Sequence, residues 1–310
     1  MRAGHIVLLL YGRGAPQLTH ERMVQPFHQP HVLVIQDLSL VGRCSSMTAL
    51  PVLSCAGIHC ALLPTALFST HTGGFPNPWR HNLTQDMREI LAKWSDLPLH
   101  FDGIYVGYLA SDDQFAVVDA VLDRFLAPGT RLFVDPVMGD HGRRYSGCTE
   151  AMTNGFKSLC ERADMIFPNP TEAAILLGRP PETADKTLEN ADRLLPALTG
   201  LGAAAAVLTG VEEGEFIGVG ILEAGQTTAM HIMHRRFPGS YPGTGDLFAS
   251  CAVAGMLKGN SAAGSCRLAA DFMERILSLA GNAGMEARFG VPFEMVLPWL
   301  SQQFDERYAP

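Results

Sequence analysis

Residues 240–260, SYPGTGDLFASCAVAGMLKGN, set Gly243 and Gly245 on either side of Thr244, with an acid, Asp246, where an apolar helical run begins. Glycine weakens a helix start unless bare backbone is needed there. A Gly-Thr-Gly turn leading into a helix leaves several backbone N–H groups unpaired. With the helix dipole they form an anion site that no Cβ obstructs. Asp246 then has two readings. It is a first-turn acid that caps or complements the helix dipole, or it is a base held beside the anion site. In the second reading the carboxylate takes a proton from an alcohol while the N–H groups hold charge developing on a transferred phosphoryl group. Leu247, Phe248, Cys251 and Met256 form an apolar stripe, and Lys258-Gly259 supplies a stop signal, so a helix follows. The chain has no GxxxxGKS or GxxxxGKT motif and no GxGxxG after its first strand, so neither a P-loop nor nicotinamide binding is supported.

The elements that must position this turn alternate from His31 onward. HVLVIQ, CALLPTALF, GIYVGYL, RLFVDPV, DMIFPN and AAAVLTGV read as strands. Helical patterns lie between them in SSMTALPVLSCAG, TQDMREILAKWSD (Thr84 as N-cap), DDQFAVVDAVLDRFLA, EAMTNGFKSLCERA, TEAAILLG and LENADRLLPALTGLG. A β-rich stretch runs from Glu215 to Arg236, and two helices from Asp246 onward close the core. Strands apolar throughout, alternating with amphipathic helices, predict an α/β domain with a mostly parallel sheet covered on both faces. Such sheets bind ligands beyond the carboxyl ends of their strands. Asp37 after VLVIQ, Asp135 closing RLFV, Asn169 closing MIFP and Thr209 closing AAVL recur at that end. Each alone is equally readable as a cap; their convergence with the glycine turn favours a site.

The 310 residues, 47% of them hydrophobic and 17% charged, carry a large core, and the single domain is expected over 31–310. Residues 1–30 read as a poorly ordered N-terminal extension; their one apolar stretch, Ile6 to Tyr11, is too short for a usual signal core. A net charge of −8 argues against nucleic-acid or anionic-membrane partners, and no segment reaches transmembrane length uninterrupted. The seven cysteines show no CxxC pairing and read as reduced core residues of a cytoplasmic protein, with Cys44 and Cys148 at loop or element-end positions. The histidines have no metal-ligand spacing.

PGTGDLF resembles the signature of the ribokinase superfamily. HVLVIQDLSLVGRCS, ALFSTHTGGF, IYVGYLAS, VDPVMGDHGRRY, PNPTEAAILLG and VLTGV follow in the order seen in its vitamin B6 kinase branch, the pyridoxal/pyridoxamine kinases, over about residues 31–300. STHTGG with DPVMGD is specific to that branch. The resemblance implies a ribokinase-like three-layer sandwich and ATP-dependent phosphorylation of the 5'-hydroxymethyl group of pyridoxal, pyridoxine or pyridoxamine, with Mg2+ and a monovalent cation such as K+. It also implies a homodimer and a flap, DHGRRYSG, over ATP.

By the same resemblance, Asp246 is the base and the backbone of Gly243, Thr244 and Gly245 the anion hole. Asp135 and Asp140 lie near metal and phosphates, Asn169 and Glu172 order magnesium and its waters, with Asp135 and Glu172 as the metal acids, and Thr209 bonds the nucleotide phosphates. Glu172 as a plain first-turn acid is the alternative. The vitamin pocket maps to Asp37, Ala66, Phe68, His71, Thr72 and Tyr108: Phe68 and Tyr108 sandwich the pyridine ring and Thr72 bonds its edge. His71, between two threonines, is readable as a hydrogen-bonded structural or pocket residue rather than a base. Asp37 stands where many pyridoxal kinases have Ser, and an ionised Asp only accepts hydrogen bonds, which favours a protonated ring nitrogen or the aminomethyl cation of pyridoxamine. The competing readings are a hydroxymethylpyrimidine/phosphomethylpyrimidine kinase, whose usual glycine-rich first loop QDLSLVGRCSS does not match, and a non-catalytic B6-binding protein on the same fold.

Overall fold

Strand β1, His31–Ser39, buries Val32 and Val34 on one face and Leu33 and Ile35 on the other, each with no exposed surface. A strand with two apolar faces needs a helical layer on each, and the computed structural model, which describes residues 28–283 and 285–305, has that three-layer form. Helix α1 (Ser46–Cys55) follows β1 directly and leads to β2 (His59–Phe68) and the short β3 (Arg80–Asn82). Then come α2 (Thr84–Trp94), β4 (Gly103–Val106), α3 (Asp113–Phe125), β5 (Arg131–Val134), the hairpin β6 (Gly139–Asp140) and β7 (Arg143–Arg144), and α4 (Glu150–Glu161). Strand β8 (Met165–Ile166), α5 (Pro170–Leu176), α6 (Leu188–Thr199), β9 (Ala205–Glu213), β10 (Phe216–Glu223) and β11 (Met230–Arg235) complete the sheet, and α7 (Thr244–Leu257), α8 (Ala262–Ala283) and α9 (Leu297–Gln303) close the chain.

The sheet order is β11-β10-β9-β8-β5-β4-β1-β2-β3. Every pair from β2 across to β9 is parallel, while β3 and the β10–β11 ribbon add antiparallel edges. Helices α1, α7, α8 and α9 share one core with Val32, Val34, Tyr105 and Phe133. Helices α2 to α6 share the other with Leu33, Ile35, Ile104 and Leu132. The expected α/β sandwich with a mostly parallel sheet and helices on both faces is therefore present.

Several local expectations change. Thr84 does not cap α2; the Asn82 carboxamide oxygen accepts from the Thr84 N–H (2.8 Å) and hydroxyl instead. Helix α7 has no amphipathic stripe: every residue from Leu247 to Gly255 is buried, because sheet, α1 and α8 enclose it. Gly259 after it adopts φ 90°, as the stop signal requires. Asp37 and Thr209 do not end their strands; both strands continue. The β1–β2 register shifts between Gln36 and Leu38, and the β9–β10 register shifts beside Thr209. Such irregularities re-aim side chains next to sites. The extension assigned to residues 1–30 lies, for 1–27, outside the described residues, while the His28 ring already meets Asp102 at 2.9 Å.

Candidate active site

The N-cap of helix α7 is Gly243, in the left-handed conformation at φ 82° and with no side-chain cap. A Cβ there would lie 1.9 Å from the Arg43 carbonyl oxygen, so only glycine lets the loop after β1 close over the helix start. Gly245 is different: a Cβ on it would meet no protein atom within 4 Å, and the residue is exposed. Nothing in the protein calls for its missing side chain. Bare N–H groups at an uncapped helix start, with room left in front of them, are what a phosphoryl group requires. Thr244 turns its hydroxyl back to donate to the Tyr241 carbonyl at 3.1 Å and so offers backbone rather than side chain.

Asp246, in the first turn, does not bond its own helix. Its Oδ1 accepts from the Gln36 amide at 2.7 Å and its Oδ2 from the Ser45 N–H at 2.9 Å. The side chain therefore does not cap the helix, although as a first-turn acid it still complements the helix dipole. Ser45 holds a conformation rare for a side-chain-bearing residue, φ 54° and ψ −134°, which costs about 1–3 kcal/mol and points its N–H at the carboxylate. Burial and the neighbouring Asp37 charge raise Asp246, the two donors pull it back, and it settles at about 6. That suits proton exchange near neutral pH. Gln36 and Ser45 were not singled out from sequence, since they meet Asp246 across more than 200 residues.

A second acidic group lies deeper. Asp135, 8% exposed, continues from β5, and Glu172, 4% exposed, enters α5. The NPTE segment makes a full capping box: the Asn169 side chain accepts from the Thr171 and Glu172 N–H groups while Glu172 Oε2 accepts from the Asn169 N–H at 2.9 Å, with Pro170 at the first position. Glu172 Oε1 also accepts from Met138 N–H at 3.1 Å. The first-turn role of Glu172 is thus real, and both oxygens keep a lone pair. Burial first, then Asp246, pushes Asp135 well above the ordinary carboxylate range; burial and then Asp135 does the same to Glu172. Asp140 ends β6 at the turn of the β6–β7 hairpin, its Oδ1 accepting from the His141 N–H. Tyr145 follows that hairpin, and its hydroxyl is kept protonated by burial and then by the charges of Glu172, Asp140, Asp135 and Asp246.

Among the described residues, no three His, Cys, Asp or Glu side chains gather closely enough to hold a metal alone. Magnesium does not need that; it takes one or two carboxylates and completes its shell with water and phosphate oxygens. Two buried, mutually repelling carboxylates fit such an ion.

The vitamin-pocket residues divide. Asp37 is buried, accepts from the Ser39 hydroxyl at 3.0 Å and is raised by burial. Its charge acts on Asp246, Cys44 and Tyr108 and raises all three. Ala66 and Phe68 are buried on β2 and Thr72 is exposed. Phe68 and Tyr108 stand edge-to-face with centroids 5.7 Å apart. In that pose the rings contact each other instead of lying parallel on either side of a ring-sized gap, so the expected sandwich is not preformed. His71 accepts from the Gly73 N–H at Nδ1 (3.0 Å), so Nε2 carries the proton and donates to the Arg288 carbonyl at 2.7 Å. Both nitrogens are engaged inside the protein, and burial lowers its pKa. Thr209 is half-buried, its N–H donating to the Pro168 carbonyl at 3.0 Å. Cys44 and Cys148 are held as thiols, their pKa values raised mainly by burial, and neither is activated.

The sequence profile of the phosphomethylpyrimidine kinase family matches residues 51–289. The chain belongs to that family. A Bacteroides thetaiotaomicron protein assigned to the phosphomethylpyrimidine kinases, crystallised with pyridoxal, superposes with a TM-score of 0.81 at 32% identity, covering 88% of this chain and 96% of its own. The pyridoxal kinase of Lactobacillus plantarum does so with a TM-score of 0.79 at 33% identity, covering 87% and 96%. The pyridoxine/pyridoxal/pyridoxamine kinase of Bordetella avium is 29% identical over 243 residues, 74% of this chain and 78% of that one. The protein is accordingly a kinase, as the glycine turn and its acid implied.

Proposed function

We propose that this kinase transfers the γ-phosphoryl group of ATP to the 5'-hydroxymethyl group of a B6 vitamer, in salvage of pyridoxal 5'-phosphate. The observation that carries the reading is the start of α7: an uncapped run of N–H groups, space in front of Gly245, and a carboxylate turned out of its helix beside them. Asp246 takes the hydroxyl proton as the substrate oxygen forms its bond to phosphorus, the bond from phosphorus to the ADP oxygen breaks, and ADP leaves. The backbone of Gly243, Thr244 and Gly245 faces the charge on the moving phosphoryl group. Asp135 and Glu172 hold Mg2+, whose contribution is neutralisation of phosphate charge. Asp140, Asn169 and Thr209 line the nucleotide side, and Asp37, Ala66, Phe68, Thr72 and Tyr108 the vitamer side. The pyridoxal kinases among its relatives, and a relative crystallised with pyridoxal, support the B6 assignment. The homodimer, the cytoplasmic location and stimulation by K+ belong to the same reading.

The family's name keeps hydroxymethylpyrimidine as the competing substrate. Magnesium-dependent ADP release from ATP, followed in parallel with pyridoxal, pyridoxine, pyridoxamine and hydroxymethylpyrimidine, separates them. Turnover with a B6 vitamer is expected. Turnover with the pyrimidine alone moves the substrate and leaves the mechanism; vitamer binding without any turnover makes the protein a sensor.

A further inference from the structure

Gln36 sits on β1 with no exposed surface, one residue before Asp37. Its amide nitrogen lies 2.7 Å from Asp246 Oδ1, and the opposite amide orientation would set two acceptors against each other. Its other end, Oε1, is buried and has no hydrogen-bond partner among the described residues. The fold alone gives no reason for that arrangement. A methionine of similar volume would fill the space and leave no orphan acceptor in an apolar layer. Across the β1–β4 edge, room for this side chain is left by Gly107: a Cβ there would stand 2.7 Å from Gln36 Nε2 and 2.8 Å from its Cδ. Gly107 needs no left-handed backbone, so space is its only evident role.

We infer that Gln36 is a positioning residue for Asp246: its amide and the Ser45 N–H take one carboxylate oxygen each and fix the plane in which the acid meets the substrate hydroxyl. The inference rests on Asp246 being the base. Two donors 2.7 and 2.9 Å away on separate oxygens remove the carboxylate's rotation. A group held in its reactive geometry keeps rate that a loosely held one loses. An unpaired buried acceptor is tolerated where activity requires it, at the expense of stability.

The test uses the full chain with ATP, Mg2+ and the vitamer it turns over, in four variants: Gln36→Met, Gly107→Ala, Asp246→Asn and Gln36→Met with Asp246→Asn. Gln36→Met is expected to lose about 10- to 100-fold in kcat. Both KM values stay within about twofold, as for an interaction that acts only on the chemical step. Its melting temperature stays close to that of the wild type, because removal of the orphan acceptor offsets the donor that Asp246 Oδ1 loses. Gly107→Ala, which leaves Gln36 intact and displaces it, gives a kcat loss of the same kind. In the Asp246→Asn background Gln36→Met adds no further loss, because it acts through that carboxylate. Wild-type kcat in folded Gln36→Met, or a full additional loss in the double variant, overturns the inference. Should Gln36→Met fail to fold, wild-type kcat in Gly107→Ala overturns it instead. Wild-type kcat in Asp246→Asn overturns the base assignment itself, a different failure.

Discussion

Asp246 and the Asp135–Glu172 pair are both acids raised by burial, yet their surroundings treat them in opposite ways. At Asp246 each oxygen has its own donor, from Gln36 and Ser45, and these offset burial and the Asp37 charge to leave the group at about 6. At Asp135 burial and Asp246 push the same way, and Glu172 is raised in turn by Asp135 despite two backbone donors. The first arrangement yields a group that exchanges a proton near neutral pH. The second leaves like charges in a low-dielectric setting that only a proton or a cation relieves. In the proposed reading Asp246 is therefore the proton end of the site and the Asp135–Glu172 pair its cation end.

The largest break of this contrast is expected from Gly243→Ala. Its Cβ would collide with the Arg43 carbonyl and sit at a φ that glycine alone adopts freely, so the loop carrying Ser45 must leave Asp246. Turnover should fall below detection and the melting temperature should drop, which calorimetry and the ADP assay check together.

Asp135→Asn should break the other end. Turnover falls at least ~10-fold with weaker magnesium dependence, while without metal the variant melts higher than wild type at pH 8. The sign follows from linkage: a carboxylate whose folded pKa lies above its unfolded value loses stability as pH rises through the folded value. The gap between variant and wild type should therefore narrow as pH falls toward 5. An unchanged gap, or none, would count against the cation end.

A pH profile sharpens the proton end. Protonated Asp246 accepts nothing, so kcat/KM should fall about tenfold per unit as pH drops below about 6. The smallest effect belongs to Asp37→Ser, a shift of a few fold in the ratio of pyridoxamine to pyridoxal turnover, within about 1 kcal/mol of discrimination. Equal ratios in variant and wild type would remove Asp37 from specificity.

Much of this was legible because it is local. The alternation of apolar strands and helices fixed the layers, and NPTE and PGTGD each span a few residues whose backbone consequences are immediate. Gln36 was not legible, since a glutamine ending an apolar run says nothing of an acid 210 positions away. Nor was the edge-to-face pose of Phe68 and Tyr108, which depends on packing between different strands. The burial of α7 on all sides came from α8 closing over it, and its own sequence held only the hint of few charges.

The most direct measurement of the central claim is the phosphorylation rate of pyridoxal by Asp246→Asn, with pyridoxal and ATP binding determined separately by calorimetry. The account predicts binding near wild type and a rate lower by ~10²-fold or more. A rate close to wild type with binding intact would contradict it, and Asp246 would be an anchor for the β1 loop rather than the proton acceptor.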